Sequence, residues 1–203
     1  MKFDILEQPF RCRTKDTLRF QEMKIAIEQI YNGKTWAEIE KLSEEENLFS
    51  AASKSRAKEI YNIIKRRLVK VDGDFFGIFI SETVEMQKLL ALITVMLEDR
   101  SFYTFMDEVY KEKLINGENT LYKDDLIAFI HNLQSRDDKA AAWTDAGIKK
   151  MRDNFKSILR DGGLISATGN DRQILKPILT EETGQYLERH GLEPIKKILT
   201  GER

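Results

Sequence analysis

Residues 35–71 read TWAEIEKLSEEENLFSAASKSRAKEIYNIIKRRLVKV, and this stretch decides the fold prediction. Thr35, followed three residues later by Glu38, has the pattern of a capping box and predicts the start of a short helix. Apolar residues three and four positions apart predict a longer helix that begins after Ser53 or Ser55. The inward face of this longer helix is predicted to consist of Ala57, Ile60, Ile64, Leu68 and Val71.

The long helix carries a local excess of positive charge. Between Ser53 and Lys70 there are seven Lys/Arg and one Glu, although the whole chain has a net charge of only −1. A basic helix in a neutral protein indicates an acidic partner, of which nucleic acid is the first to consider. The connection 43–52 is longer than the usual turn of a helix-turn-helix. We therefore predict a helix-turn-helix-like element rather than a strict one.

The candidate nucleic-acid contacts are cations around the clean apolar seam of this helix. Side chains at the start of a recognition helix meet the bases, whereas later cations suit phosphates. The predicted contacts are Lys54, Arg56 and Lys58 near the start, and Lys65, Arg66 and Lys70 further along. Arg66 and Lys70 are predicted to point away from the core, and Arg67 to lie on a flank. A solvated amphipathic helix, whose cations only keep the protein soluble, is the alternative.

Composition predicts a mostly α-helical protein with a real core. The chain is 41% hydrophobic and 33% charged, with only 11 Gly and 3 Pro, which favours long helices and few turns. We predict an N-terminal helical domain over residues 1–76 and a C-terminal helical domain over residues 77–203. The apolar run FFGIFI at 75–80 is predicted to be a short strand or a buried linker near this boundary.

The predicted helices elsewhere follow apolar periodicity and stop signals. They cover about residues 16–32, 82–99, 101–115, 121–135, 144–160, 180–190 and 193–200. The run LLALITVML at 89–97 is too short to span a bilayer, which needs about 20 residues. This run therefore predicts a buried core helix. The charged start of the chain predicts no signal peptide, so we expect a cytoplasmic protein without a membrane association.

A β-hairpin is predicted at about residues 163–176, around a turn that contains Gly169 and Asn170. A helix followed by a hairpin is the order of a winged helix, in which the hairpin forms the wing. Arg172 and Lys176 on the far strand are secondary candidates for contacts with a phosphate backbone. A plain structural hairpin packed on the last helix is the other interpretation.

The sequence offers no catalytic or metal-binding pattern. One Cys and two His give no disulfide framework and no multi-cysteine metal site. The acidic pairs and triplets consist of adjacent residues, whose side chains diverge on a helix. No Walker, HExxH or GxSxG pattern is present. We therefore expect a protein that is not an enzyme and that uses neither a metal nor a cofactor.

The run NGKTWAEIEKLSEEENLFSAASKSRAKEIYNIIKRRL resembles the N-terminal signature of the BrxA family of bacterial BREX phage-defence systems. Two later features are also similar to the family: the pattern at 105–109, and the helix that ends at Leu159 before Gly162-Gly163-Leu164. The resemblance implies a non-enzymatic helical protein, with a NusB-like N-terminal domain and a winged-helix-like C-terminal part. It also implies DNA binding within a multi-subunit defence system.

Together these observations predict a DNA-binding accessory protein of a BREX-type phage-defence system. Its partners would be double-stranded DNA and other BREX subunits, and binding would combine electrostatic docking with limited base readout. The alternative is a protein–protein adaptor of the defence complex that does not contact nucleic acid directly. In this alternative the acidic block 81–135, with five Lys/Arg against ten Asp/Glu, would dock another subunit.

Overall fold

The computed structural model describes residues 4–203 and is mostly helical, which confirms the predicted fold class. The first part of the chain contains α1 (Phe20–Tyr31), α2 (Trp36–Glu45), α3 (Lys54–Leu68), α4 (Gly73–Ser81) and α5 (Val84–Glu98). The remainder contains α6 (Arg100–Phe105), α7 (Glu112–Ile115), β1 (Thr120–Leu121), α8 (Lys123–Arg136), α9 (Asp138–Ala141), α10 (Asp145–Asp161), β2 (Arg172–Gln173), α11 (Glu181–Arg189) and α12 (Glu193–Thr200). Residues 1–3 of the predicted N-terminal domain lie outside the described residues.

The predicted caps of α2 and α3 are confirmed. Thr35 Oγ1 accepts from the backbone N–H of Glu38 at 3.3 Å, and Glu38 Oε2 accepts from the backbone N–H of Thr35 at 2.8 Å. Ser53 Oγ accepts from the backbone N–H of Arg56 at 3.2 Å, so Ser53 is the cap of α3. Each cap satisfies an amide that the helix itself leaves without an acceptor.

The connection between α2 and α3 is an ordered turn. Asn47 and Ser50 both have positive φ angles, of 52° and 50°. The Asn47 side chain accepts from the backbone N–H of Ala51 at 2.7 Å and donates to the carbonyl oxygen of the same residue at 3.0 Å. These bonds take the place of backbone partners, because asparagine tolerates the left-handed region and bonds locally. The direction from which α3 leaves α2 is therefore fixed.

The predicted core helix at residues 89–97 is confirmed as the central part of α5. All nine residues are at most 5% exposed. α5 is therefore covered on every side, and α1, α3, α4, α6 and α10 contact it. Buried side chains from Ile5 to Leu199 join one apolar cluster around this helix. The division into residues 1–76 and 77–203 stays a prediction.

The prediction of a strand or linker at residues 75–80 is wrong, because this run forms helix α4. Asp72 caps it by accepting from the backbone N–H of Phe75 at 3.4 Å. Phe75, Ile78 and Phe79, at helical spacing, are the buried residues of α4, which packs on α1 and α11. A six-residue apolar run has no polar positions that would distinguish a helical from a strand period.

The predicted helix at 101–115 is a composite of α6, a π-helical turn at Met106–Lys111 and α7. It begins at Arg100 because Asp99 is its cap, accepting from the backbone N–H of Ser101 at 2.9 Å. Ser101, where the helix was predicted to begin, is buried. Its hydroxyl accepts from the backbone N–H of Arg11 at 2.9 Å and donates to the carbonyl oxygen of the same residue at 3.0 Å.

The predicted hairpin is present as an antiparallel bridge between Ile165 and Ile174. Most of the strand pairing, however, is with a segment that the sequence did not indicate. β2 pairs antiparallel with β1, with Leu121 opposite Arg172. The turn of the hairpin is therefore held between the start of α8 and helix α10, whose Lys156 Nζ lies 3.4 Å from the carbonyl oxygen of Asn170.

Candidate nucleic-acid interface

Helix α3 packs through its predicted apolar face. Ala57, Ile60, Ile64 and Leu68 are buried, and Val71 beyond the helix end is half-buried. Two further contacts attach α2: the Tyr61 hydroxyl donates to the carbonyl oxygen of Trp36 at 2.9 Å, and the two rings lie 6.2 Å apart. The opposite face of α3 is therefore held at the surface by a packed scaffold.

The first two turns of α3 present the candidate cations most openly. Lys54 and Lys58 are exposed, and neither forms an ion pair with any residue from 4 to 203. The first turn contains no acidic residue. Arg56 is half-buried and forms an ion pair with Glu59. Two lysines four residues apart lie on the same face of a helix, so their charges act on one surface.

Lys65 is held against an aromatic ring. Its Nζ lies 5.2 Å from the centroid of the Tyr61 ring. Hydrogen bonding to Tyr61 raises the pKa of Lys65, so this side chain keeps its charge. Its position is therefore more restricted than that of Lys54 or Lys58.

The prediction that Arg66 points away from the core is wrong. Its guanidinium lies between two carboxylates, with Nη2 2.5 Å from Asp16 Oδ2 and Nε 2.6 Å from Glu98 Oε1. Arg13 forms ion pairs with the same two carboxylates. Glu98 is only 3% exposed, so it requires cationic partners, and Arg66 is one of them.

The prediction that Arg67 lies on a flank is also wrong, because this residue is fully buried. Nη1 donates to the backbone carbonyl oxygens of Thr17 and Leu18, and Nη2 donates to that of Asp16. Burial lowers the pKa of Arg67 to about 10, which leaves it protonated at neutral pH. This contact also explains why α1 begins at Phe20 rather than near Asp16.

The other candidate cations lie apart from the first turns of α3. Lys70 Nζ is 3.5 Å from Asp4 Oδ1. Arg172 Nη1 donates to the carbonyl oxygen of Ser166 at 3.0 Å and thereby closes the hairpin turn. Lys176 is exposed, and it lines a groove between the segment after β2 and helices α11 and α12. The structure therefore divides the predicted contacts among separate surfaces.

A second group of cations, which the sequence analysis did not single out, lies on α10. Lys149, Arg152, Lys156 and Arg160 are three, four and four residues apart and so follow one face of the helix. Arg172 and Lys123 lie beside them, because β2 pairs with β1 immediately before α8. We call these six residues the α10 ridge. The spacing of the four α10 cations was the available signal in the sequence.

Lys156 of the α10 ridge lies close to several other cations. Partial burial lowers the pKa of Lys156, and the nearby charges of Arg152, Arg172 and Lys123 lower it further. Asp153 opposes this effect, but it also lies 3.3 Å from Arg152. Like charges are thus held together by the fold.

Among residues 4–203, no helix is both long enough and apolar enough to cross a membrane. The same residues contain no group of three or more His, Cys, Asp or Glu side chains arranged to hold a metal ion.

The fold and its surfaces define a mostly helical protein with a cationic surface helix. The chain belongs to the BrxA family, whose family model matches residues 13–191. The BREX protein BrxA of Bacillus cereus (strain H3081.97) is 30% identical over 199 residues, which cover 98% of this chain and 100% of that relative. The predicted resemblance is thereby confirmed, and family membership supports a role in a BREX phage-defence system.

The fold is also similar to that of a solved protein. The crystal structure of an uncharacterized protein from Magnetospirillum magneticum superposes with a TM-score of 0.81, over 96% of this chain and 100% of the other. The two sequences are 15% identical. At this identity the likeness shows a shared fold alone.

Proposed function

We propose that this protein is a non-enzymatic, cytoplasmic DNA-binding accessory protein of a BREX phage-defence system, and that it docks on duplex DNA through α3. The observation that carries the proposal is the exposure of Lys54 and Lys58 on a helix that the scaffold holds rigidly. Neither lysine has an ionic partner among residues 4–203, so their charge is available to phosphates. DNA affinity depends largely on such neutralisation of phosphates.

The start of α3 is suited to anions for a second reason. The first amides of a helix lack intrahelical acceptors, and the helix dipole places partial positive charge there. Ser53 satisfies one of these amides, and Lys54, Ser55 and Lys58 surround the others with exposed polar groups. This end of α3, with Lys54, Arg56 and Lys58, would meet the groove and its edges, whereas Lys65 would lie nearer the backbone of the duplex.

The far end of α3 serves mainly as an anchor. Arg66 and Arg67 attach it to the segment before α1 and to the end of α5, so α3 would dock without rearrangement. Arg66 and Lys70 remain about one-third exposed and add long-range positive potential. Arg172 and Lys176 would be secondary contacts on the hairpin side.

One observation favours the adaptor alternative. Ile178 is 90% exposed and borders a groove lined by Met86, Leu89 and Pro177. Exposed apolar side chains of this kind commonly mark protein contacts. Another BREX subunit bound there would be compatible with DNA on α3, so the two functions are not exclusive.

A salt titration of duplex binding tests the proposal. Wild-type protein should bind a duplex at low salt, and the logarithm of the association constant should fall linearly with the logarithm of the salt concentration. Lys54→Gln/Lys58→Gln should weaken binding and reduce the steepness of this salt dependence by about 2, because each lost phosphate contact lowers the slope by about 1. The same titration with single-stranded DNA and with duplex RNA shows which nucleic acid the protein binds most tightly.

The matched control is Arg189→Gln/Lys197→Gln, which removes the same charge from α11 and α12. It should leave the slope near the wild-type value. If wild-type protein binds no duplex even at low salt, DNA binding is excluded. If the α3 variant and the control behave alike, α3 is not the contact surface.

A further inference from the structure

We propose that the α10 ridge is a second, independent phosphate-binding surface that contacts the backbone of duplex DNA. The ridge consists of Lys123, Lys149, Arg152, Lys156, Arg160 and Arg172. This inference rests on the proposed binding of DNA, but not on the use of α3.

The first argument is the excess of positive over negative charge on the ridge. Arg152, Arg172 and Lys123 all act on Lys156 and lower its pKa. Asp153, Asp161 and Asp171 also contact ridge residues, so the six cations are only partly compensated. Asp171 is engaged by the backbone N–H of Lys123 at 3.1 Å. Because the fold holds these cations close together, an anion that binds between them would reduce their mutual repulsion.

The second argument is rigidity. The cations belong to three segments that hydrogen bonds hold together: Lys156 Nζ to the carbonyl oxygen of Asn170, Arg172 to that of Ser166, and β2 to β1. Arg152 is only 18% exposed and Lys156 is half-buried, so little side-chain freedom remains to be lost on binding. A surface of this kind is preorganised for binding its ligand.

The third argument concerns the kind of anion. The cations from Lys149 to Arg160 extend over about 16 Å of helix, at 1.5 Å per residue. One free phosphate would contact only a part of this row, whereas a nucleic-acid backbone offers charges at regular intervals. The neighbouring turn exposes Thr168, Gly169 and Asn170, and small polar residues of this type are common phosphate contacts. These features favour nucleic acid over an acidic protein segment.

The ridge and the start of α3 are separate surfaces. Asn154 of α10 donates to the backbone carbonyl oxygens of Arg13 and Asp16. At 100° per residue, Asn154 points about 160° away from Lys156 on the helix. Lys156 therefore points away from the segment to which α3 is anchored, whereas Arg160, at the end of α10, lines a groove with Thr17 and Leu18 of that segment. Lys123, Lys149 and Lys156 can be substituted without touching the anchor of α3.

The test is a salt titration with Lys123→Gln/Lys149→Gln/Lys156→Gln, compared with Arg189→Gln/Lys197→Gln/Arg203→Gln as a control of equal charge. The ridge variant should reduce the salt slope by about 2 to 3 and weaken duplex binding at least about tenfold at low salt. The control should do neither. If the two variants bind alike while wild-type protein binds duplex, the ridge proposal is overturned and DNA binding itself stands.

Two further measurements complete the test. The pKa of Lys156, followed by NMR in wild-type protein, should rise by about 1 when a duplex is added, since phosphate charge favours the protonated amine. An unchanged pKa contradicts the proposal without relying on any variant. A poly-glutamate peptide serves as the probe for an acidic protein segment. If the ridge variant binds this peptide more weakly than wild-type protein does, but binds duplex DNA equally well, the ridge faces an acidic protein instead. Absence of any duplex binding by wild-type protein would overturn both proposals.

Discussion

Arg67 Nη2 donates a 2.8 Å hydrogen bond to the backbone carbonyl oxygen of Asp16. Through this bond and the two from Nη1, one buried guanidinium fixes the segment before α1 against the end of α3. Three carbonyl groups that no helix satisfies are thereby paired inside the protein, where water does not replace the guanidinium. The arrangement makes a charged residue part of the core.

Arg67→Met should destabilise the protein strongly. Methionine retains much of the stem volume but leaves the carbonyls of Thr17 and Leu18 without donors, at about 1 to 3 kcal/mol for each buried unsatisfied group. The carbonyl of Asp16 keeps only the 3.4 Å hydrogen bond from Asn154. We expect a loss of roughly 3 to 5 kcal/mol in the free energy of unfolding, measured by urea denaturation. Arg56→Met, on the surface of the same helix, is the control and should cost less than about 1 kcal/mol. Equal effects of the two substitutions would contradict a structural role for Arg67.

Asp99 should make stability fall as pH rises from about 4 to 6. Burial raises the pKa of this carboxyl from 3.8 to about 6, although Arg13 opposes the shift. The folded state therefore binds a proton more tightly than the unfolded state does, and stability is lost between these two pKa values as pH rises. Above pH 6 the cost is at most roughly 3 kcal/mol, at 1.36 kcal/mol for each pKa unit.

Asp99→Asn tests this pH dependence, because asparagine keeps the capping oxygen and removes the charge. The variant should gain stability relative to wild-type protein between pH 4 and 6, with a constant difference above that range. Unfolding by urea at a series of pH values measures this difference. Asp124→Asn, at an exposed position, should show no such trend. A stability difference for Asp99→Asn that does not vary with pH would rule out titration of this carboxyl.

Local patterns in the sequence predicted the helices well, because a cap or an apolar stripe depends on residues within one or two turns. Thr35, Ser53 and the buried run at 89–97 were found in this way. The FFGIFI run at 75–80 was assigned incorrectly, since every position in it is apolar or glycine and no period is visible.

The sequence could not reveal contacts that form between distant segments. Arg66 and Arg67 have the composition of a basic surface helix, but their partners lie about 30 to 50 residues away along the chain. The pairing of Leu121 with Arg172, which brings Lys123 to α10, is equally remote. The candidate site in the structure therefore differs from the one predicted from the sequence. Carboxylates and carbonyls from distant segments bind some of the predicted cations, and strand pairing brings other cations together.

Substitution of Gly162 or Gly163 by alanine should destabilise the protein, but for different reasons. A Cβ at Gly162 would lie 2.5 Å from Leu92 Cδ1, whereas Gly163 has open space but a φ of +79°. We expect Gly162→Ala to cost about 1 to 3 kcal/mol through crowding and Gly163→Ala about 1 kcal/mol through backbone strain. Combination with Leu92→Val, which removes the crowded carbon, should rescue only Gly162→Ala in a double-mutant cycle. Equal rescue of both glycine variants would refute the assignment of the two causes.

Loss of the α3 cap should affect DNA binding as well as stability. Ser53→Ala removes the acceptor of the Arg56 amide, so the turn that carries Lys54 and Lys58 should fray. Thr35→Ala removes the equivalent cap of α2 and is the matched control. Each substitution should cost about 1 kcal/mol of unfolding free energy.

Only Ser53→Ala should weaken duplex binding at low salt, because only α3 carries the proposed contacts. Fluorescence anisotropy with a labelled duplex measures this under conditions in which both variants are fully folded. We expect a loss of about two- to fivefold for Ser53→Ala, which corresponds to fraying that costs up to about 1 kcal/mol. If Thr35→Ala weakens binding equally, either α2 takes part in the contact or the effect is one of general stability. If neither variant weakens binding, the first turn of α3 does not carry the contact, and the α10 ridge becomes the principal DNA surface to test.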